Sequence, residues 1–274
     1  MPFKKFHLRS LFSLLVLIIG QTAFAQEDQK LIIITTDGFR WQEVYNGMDA
    51  AIASDKKFNQ YDSAGIFTAY WDKSPEARRQ KLLPFFWGTV AKQGQLYGNR
   101  KYGNKIDNAN PYWFSYPGYS EILTGHVDTL INSNEYPPNP HKTILEYYNQ
   151  LPAYKGKVAA FAAWDAFDRI INEKRAGIPV INGFDDNAVA STDPQMKLLN
   201  DMVRTSFRPW GNVECLDVFT HYQAFTYLKN KRPKVMYISY GETDEFAHHG
   251  EYKHYLNAAH QFDQWVGDIW NWVQ

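Results

Sequence analysis

The chain has 274 residues, of which 45% are hydrophobic and 16% aromatic, and its 29 Lys and Arg residues balance 29 Asp and Glu residues. This length is enough for one large domain with a substantial core, and no repeat or Pro/Ser/Gly-rich linker divides it. No basic patch or basic helix stands out, so we expect no nucleic-acid partner. The single cysteine, Cys215, rules out an internal disulfide.

The first 25 residues have the features of a secretory signal peptide. Three basic residues precede an apolar stretch, Leu11–Gly20, and an A-x-A site follows at residues 23–25. An uncleaved membrane anchor is the alternative, but this stretch is far shorter than the roughly 20 residues of a spanning helix. We therefore expect cleavage after Ala25, a mature chain that begins at Gln26 with no membrane span, and export to the periplasm or the extracellular space.

Three apolar runs predict strands that are buried on both faces of a parallel sheet. The runs KLIIITT, KVAAFAAW and PKVMYISY are followed by Asp37, by Asp165 and, past Glu242, by Asp244. Parallel sheets bind ligands beyond the carboxyl ends of their strands. We therefore expect Asp37, Asp165 and Asp244 to converge at one edge of the sheet, with capping of the next helix as the alternative role for Asp165.

Four stretches predict helices, all of them between or after these strands. Their approximate bounds are residues 81–93, ended by Gly94; 193–206, opened by Asp193 as a cap; 215–229; and 255–274. The last stretch has apolar residues at a spacing of three and four, which marks one buried face. Strands that alternate with helices predict an α/β fold, a three-layer α/β/α sandwich with a mostly parallel sheet.

The segment NPYWFSYPGYSEILTGH, residues 110–126, places Ser115 just before a Tyr-Pro-Gly turn and the predicted start of a helix. A serine at this point is typical of a helix N-cap, and equally of a nucleophile held at the positive end of a helix. Ser120 is the other serine in this segment that could be the nucleophile. We expect Ser120 to lie on the helix as an ordinary polar residue.

Asp244 and His248 are four residues apart in ETDEFAHHG, so one helical turn would present both to one ion. Carboxylate and imidazole ligands suit zinc, and Glu245 and His249 are less well placed on that face. Alone, such a pair is more often a solvated surface pair than a metal site. The acid at a strand end, Asp37, and the turn-held serine favour the metal interpretation.

Three blocks together resemble the alkaline phosphatase superfamily, most closely its nucleotide pyrophosphatase/phosphodiesterase branch. They are TTDGFRW at 35–41, FSYPGYSEILTG at 114–125 and GETDEFAHHG at 241–250. The resemblance implies an alkaline phosphatase-like catalytic domain over residues 26–274, with two divalent metal ions, for which zinc is expected. It implies Asp37 as a ligand of the second metal, Ser115 as the nucleophile that also contacts that metal, and Asp244 and His248 as ligands of the first.

The chain departs from the family pattern in two places. Ala247 replaces a glycine before the block histidine, which leaves the ligands unchanged. The family's third block, a strand that ends in Asp-His-Gly, and a later histidine are not found before Gln274, so four of the family's seven metal-contacting positions are present. We therefore expect a C-terminally incomplete domain that binds divalent metal poorly, shows little activity and exposes the apolar face of helix 255–274.

The resemblance implies a phosphomonoester or phosphodiester hydrolase that acts on a small-molecule substrate through a phosphoseryl intermediate at Ser115. It also implies an asparagine on a non-bridging phosphate oxygen, for which Asn134 is preferred over Asn132; stabilisation of the loop before Pro137 is the alternative. A sulfatase or phosphomutase of the same superfamily is the second hypothesis, although the sulfatase block C/S-x-P-x-R is not seen. The third is a truncated, non-catalytic periplasmic protein that at most binds an anion.

Overall fold

The structure is a computed structural model that describes residues 30–184 and 193–274. The chain divides into a short unit, Met1–Leu31, and a compact unit, Ile32–Gln274. The compact unit carries the helices and strands described here, apart from the first residue of one strand. The predicted signal peptide lies outside the described residues. Within the described ranges, no helix combines the length and the apolar character that crossing a membrane requires.

Four strands form one parallel sheet. They are β1 (Leu31–Thr36), β2 (Val158–Ala162), β3 (Val180–Asn182) and β4 (Val235–Tyr240). Their spatial order is β1-β4-β2-β3, with Val158 of β2 opposite Val235 of β4 and Ala160 of β2 opposite Val180 of β3. The three predicted strands are present. The sequence did not predict β3, because three residues are too few to show a pattern.

The described helices follow one another around the sheet. In chain order they are α1 (Trp41–Asn46), α2 (Ala50–Ser54), α3 (Ser63–Tyr70), α4 (Pro75–Leu82), α5 (Ala91–Gln93), α6 (Ser115–Thr124), α7 (Ile144–Gln150), α8 (Phe167–Ile171), α9 (Glu173–Ala176), α10 (Pro194–Thr205), α11 (Asp217–Lys231), α12 (Glu242–His248) and α13 (Tyr252–Val273). A π-helix at Phe86–Val90 precedes α5. The predicted helices at 193–206 and 215–229 are confirmed as α10, capped by the Asp193 carboxylate, and α11.

Alternate side chains of β2 and β4 point to opposite faces of the sheet and line two separate cores. On one face, Val158 and Tyr237 pack with α6, α7 and α8. On the other face, Phe161 and Ile238 pack with α11 and α13. Helices therefore cover both faces of the sheet, and the predicted three-layer α/β/α sandwich is confirmed.

The apolar face of α13 is buried, and the expectation that it would be exposed is wrong. Its first half packs through Tyr252, Leu256 and Ala259 against the N-terminal helices α1 to α4. Its second half packs through Trp265 and Ile269 against the sheet and α11. The N-terminal helices thus supply the packing surface that the sequence argument had assigned to a further strand.

The predicted helix over residues 81–93 has the wrong bounds, because Pro84 interrupts it. Proline lacks an N–H, and its ring clashes with the preceding helical turn. Helix α4 instead begins at Pro75, after the N-cap residue Ser74, and ends at its C-cap residue Leu83; the helical path resumes at Pro84 and continues as the π-helix and α5. The stop at Gly94 is confirmed.

Two carboxylates cap each other's helices at the starts of α11 and α12. Asp217 accepts hydrogen bonds from the backbone N–H groups of Gly241 at 2.7 Å and Glu242 at 3.0 Å. The Glu242 carboxylate in turn accepts the backbone N–H of Asp217 at 3.1 Å. Burial raises the pKa of both carboxyl groups, and each helix N-terminus favours the negative charge that faces it.

Glu214 lies beside this pair of caps, against the backbone of Gly241. Its Oε1 atom is buried and has no hydrogen-bond partner among the described residues. Burial, and then the charge of Asp217, raise the pKa of Glu214 well above its ordinary value. Burial and the neighbouring charges therefore favour the neutral form of Glu214, which would limit the electrostatic cost of three neighbouring carboxyl groups.

His221 is a buried histidine of α11, on the face of the sheet that α11 and α13 cover. Its ring stacks on Trp265 with centroids 4.9 Å apart, and Nδ1 lies 3.0 Å from the Tyr240 hydroxyl. Burial lowers the pKa of His221 to about 4, and the charge of Lys229 adds to this. The imidazole is thus a neutral structural group at neutral pH.

We expect His221 to make the protein less stable in acid. The unfolded chain takes up a proton below about pH 6.5, whereas the folded chain does so only near pH 4, so stability is lost as the pH falls between these values. The loss attributable to His221 is about 3 kcal/mol. Urea unfolding at pH 7.5 and pH 4 should show a smaller loss for His221→Phe than for the wild type, whereas exposed His254→Gln should match the wild type.

Candidate functional site

A cleft of about 690 Å³ opens at the carboxyl ends of β1 and β4. The ends of the two strands are joined there, because the backbone N–H of Asp37 donates to the carbonyl of Tyr240 at 3.0 Å. The residues around the cleft come from β1, the loop before α6, α6 itself, the following loop and α12. They are Thr35, Thr36, Asp37, Asn108, Tyr112, Trp113, Phe114, Ser115, Gly118, Tyr119, Ile122, Asn134, Asp244 and His248.

Ser115 is the first residue of α6, and the N-cap position belongs to Phe114, which makes no side-chain capping bond. The interpretation of Ser115 as the N-cap is therefore wrong. The Asn134 side chain, from the loop that follows α6, takes that role, because its Oδ1 accepts the backbone N–H of Tyr116 at 3.0 Å. The Ser115 side chain instead lies close enough to the Asp37 carboxylate to lower the pKa of that group.

Ser120 does not border the cleft. Its side chain is buried, and its hydroxyl accepts a hydrogen bond from the Asn139 side chain at 2.9 Å. The prediction that Ser120 is an ordinary polar residue of the helix is confirmed. Of the two serines, only Ser115 lines the cleft.

Asp37 is largely enclosed by its surroundings. Burial raises its pKa to about 6, and the charge of Asp244 adds to this rise. The Gly38 N–H, which donates to Oδ1 of Asp37 at 2.9 Å, and the nearby hydroxyl groups of Ser115 and Tyr119 act in the opposite direction and lower the pKa. Two mutually repelling carboxylates in one cleft are an arrangement that a bound cation would stabilise.

Asp244 and His248 form the pair that their spacing predicted. They lie on one face of α12, and Nε2 of His248 is 3.2 Å from Oδ2 of Asp244. The His248 side chain is 72% exposed, so it is open to a ligand from the cleft. Glu245 and His249 form a looser neighbouring pair, 3.8 Å apart, and neither lines the cleft, which agrees with their less favourable placement.

The donor atoms in the cleft are of types that bind divalent cations, but there are too few of them around any one point to complete a metal site. Carboxylate oxygen, imidazole nitrogen and hydroxyl oxygen are ligands that zinc accepts. Among the described residues, however, no group of three or more His, Cys, Asp or Glu side chains is arranged to hold a metal ion. The cleft therefore presents two pairs of donors, Asp37 with Ser115 and Asp244 with His248.

Asp165 is not part of this cleft, so the expected convergence of three strand-end aspartates is wrong. Asp165 lies in a separate cavity of about 270 Å³, next to Asn182 at the end of β3. Its side chain does not cap α8 either, because the N-cap of that helix is Ala166, which makes no side-chain capping bond. The sheet order is the reason, since β4 separates β2 from β1.

Asn134 lines the cleft, whereas Asn132, the other candidate, is exposed and does not.

Several residues that line the cleft were not predicted from the sequence. Tyr119 lies one helical turn after Ser115, and Thr35 is a polar residue inside an apolar strand, so both had a detectable signal. Trp113, which is 99% exposed, stands at the rim of the cleft.

No protein-family model matches this chain, and no curated protein or solved structure does either.

Proposed function

We propose that the cleft is the active site of a metal-dependent phosphoester hydrolase that acts through a phosphoseryl intermediate. The observation that carries this proposal is that Ser115, at the start of α6, lines the same cleft as Asp37 and the Asp244–His248 pair. A hydroxyl group, a helix N-terminus and two pairs of metal-type donors border one open space, which suits a phosphate group. The three sequence blocks that resemble the alkaline phosphatase superfamily also meet at this cleft.

Ser115 is the nucleophile in this proposal. Its Oγ forms a bond to phosphorus as the bond from phosphorus to the leaving oxygen breaks, and water later hydrolyses the phosphoserine. Asp37 lies in the same cleft and would accept a hydrogen bond from the Ser115 hydroxyl, which would orient Oγ. Asp37 with Ser115, and Asp244 with His248, would each hold one divalent ion, for which we propose zinc. Such ions supply positive charge that favours the serine alkoxide and the phosphoryl oxygens.

Asn134 is the proposed contact for a non-bridging phosphate oxygen. Its carbonyl oxygen is fixed by the N–H of Tyr116, one residue from Ser115, so its amide group is held close to the nucleophile. An amide NH₂ group is a hydrogen-bond donor and suits an anionic oxygen. The same residue thus completes the start of α6 and borders the space for the phosphate.

A substrate panel tests the class of reaction. With added zinc, the protein should hydrolyse p-nitrophenyl phosphate or bis-p-nitrophenyl phosphate at the low rate that its incomplete ligand set allows, and acid quenching followed by peptide mass spectrometry should locate phosphate on Ser115. Preference for p-nitrophenyl sulfate would favour a sulfatase, and phosphate transfer within a phosphosugar would favour a mutase. Phosphate binding with no turnover of any substrate would instead favour a non-catalytic anion-binding protein.

We expect this chain to bind zinc weakly, because each pair offers two protein donors whereas a catalytic zinc ion normally has three and a water. Structural zinc sites contribute about 10–16 kcal/mol, and half of the ligands should give roughly half of that, which corresponds to a Kd between about 1 μM and 0.2 mM. Chelator competition measures this value. Asp244→Asn should weaken binding further and His254→Gln should not, whereas two ions held at nanomolar Kd would contradict the ligand assignment.

A further inference from the structure

A basic surface loop precedes the segment that carries Ser115. Residues 97–107, referred to here as the basic loop, include Arg100, Lys101 and Lys105 but a single acid, Asp107, so the net charge of the loop is +2. From Arg100 onward, all of its residues are exposed. This charge is too small to stand out in a sequence whose charges balance, but the structure presents it on one exposed segment.

The basic loop has a defined conformation. The backbone N–H of Gly98 donates to Oδ1 of Asn104, and the Arg100 guanidinium forms an ion pair with Asp107. The same guanidinium lies 5.9 Å from the ring centroid of Trp41, on α1. The loop is therefore a compact excursion of the chain whose ends are close together, a form that is often functional. The charge of Arg100 is used within the protein.

The groups that remain free at the surface are two lysines and two apolar side chains. Lys101 and Lys105 form no ion pair among the described residues. Tyr102 is 78% exposed and Ile106 is 60% exposed. Single apolar residues on a surface are normal, but here they alternate with unpaired cations. This combination is typical of segments that lie in a membrane interface, where lysines meet anionic headgroups and apolar side chains enter the headgroup layer.

The basic loop lies next to the cleft. Asn108 directly follows the loop and lines the cleft, and Trp113, almost fully exposed, lines the cleft as well. Tyrosine and tryptophan rings are favoured in membrane interfaces, because one end of each ring is apolar and the other is polar. Trp113 therefore adds an aromatic ring to the side of the protein that carries the basic loop.

We propose that the basic loop docks the protein on a membrane surface that contains anionic phospholipids. Lys101 and Lys105 would contact headgroup phosphates, and Tyr102 and Ile106 would enter the headgroup layer. Two lysines match too few phosphates for a nucleic acid, since proteins that bind DNA make roughly six to ten such contacts, and a phosphate backbone offers nothing to Ile106. The proposal does not depend on the chemistry of the cleft.

Sedimentation with lipid vesicles tests the role of the two lysines. The protein should bind vesicles of phosphatidylcholine with added phosphatidylglycerol, but not phosphatidylcholine alone. Each lysine near an anionic surface contributes about fivefold to binding, so Lys101→Gln/Lys105→Gln should bind about 25-fold more weakly. Lys229→Gln/Lys231→Gln is the matched control, because it removes the same charge from exposed positions at the end of α11, where β4 begins at the opposite edge of the sheet. The control should stay within about twofold of the wild type.

A fluorescent label tests the apolar part of the basic loop. Cys215 is buried, so a cysteine introduced by Tyr102→Cys can be labelled selectively with an environment-sensitive dye. Its emission should shift to shorter wavelength with phosphatidylglycerol vesicles, whereas the same dye at exposed Tyr222→Cys, on α11, should not respond. Raising NaCl from about 0.1 M to about 1 M shortens the Debye length from about 10 Å to about 3 Å and should reverse the shift.

Mass spectrometry first verifies that the purified protein begins at Gln26, because an intact apolar stretch at Leu11–Gly20 would bind vesicles by itself. Circular dichroism checks that the variants are folded. Equal vesicle binding by the wild type and Lys101→Gln/Lys105→Gln would overturn the proposal. So would retention on immobilised polyphosphate or DNA without any binding to vesicles, which would indicate a soluble polyanionic partner.

Discussion

Replacing Ser115 with alanine is expected to lower zinc-dependent phosphoester turnover by at least about 10³-fold, because the change removes the atom that forms the covalent intermediate. The fold should survive, since the Ser115 side chain does not cap α6 and the Asn134 side chain does so instead. Steady-state hydrolysis of bis-p-nitrophenyl phosphate, corrected for the zinc-only background, measures the loss. Circular dichroism checks that the variant is folded.

Ser120→Ala is the matched control for this change. It deletes the same atom five residues along the same helix, in a buried position outside the cleft. The Asn139 side chain keeps its second bond, to the carbonyl of Ile170 at 3.1 Å, so the cost should be about 1 kcal/mol of stability with most of the turnover retained. Equal losses of turnover in the two variants would remove Ser115 from the nucleophile role.

Gly38→Ala adds one methyl group to the TTDGF segment and is expected to lower both the stability of the protein and its zinc binding. The backbone of Gly38 has φ of +64°, and a Cβ atom there would lie 2.5 Å from Cα of Asp244 and 2.6 Å from its Oδ1. The unfavourable backbone conformation and the overlap together should cost about 3 kcal/mol, and the displaced Asp244 should no longer pair with His248. Urea unfolding and zinc titration measure the two effects.

Gly125→Ala separates the two contributions. Gly125 also has a positive φ, +66°, at the end of α6, but a Cβ atom there would meet no other atom within 4 Å. We therefore expect a loss of about 1 kcal/mol from backbone conformation alone and unchanged zinc binding. If Gly38→Ala costs no more than Gly125→Ala, the close approach between the TTDGF turn and α12 is not as tight as described.

The sequence predicted the parts of the site that depend on local pattern. An apolar run followed by an acid places Asp37 at a strand end, and the four-residue spacing places Asp244 and His248 on one face of a helix. These predictions succeeded because strand burial and helix periodicity are properties of short segments. The fold class follows from the same patterns, since buried parallel strands require helices on both faces.

The sequence could not predict which strands are neighbours. Asp165 follows an equally apolar strand, but β4 lies between β2 and β1, so Asp165 is about 10 Å or more from Asp37 across the sheet. Long-range polar contacts were missed for the same reason. The Asp263 carboxylate on the N–H groups of Phe85 and Phe86 joins residues 178 and 177 positions apart, and even the Asn134 cap on α6 spans 18 positions, beyond the reach of a local pattern.

The reciprocal caps of Asp217 and Glu242 tie the helix that carries Asp244 and His248 to the start of α11. Neither N-terminus can fray without leaving a buried carboxylate and the N–H groups of the other helix unpaired, a cost of several kcal/mol. The first turns of α11 and α12 should therefore open as one cooperative unit, with equal opening free energies in amide hydrogen exchange. The Asp244–His248 pair would then have the local stability of the interior of the protein, although its helix has only seven residues and one side of it faces solvent.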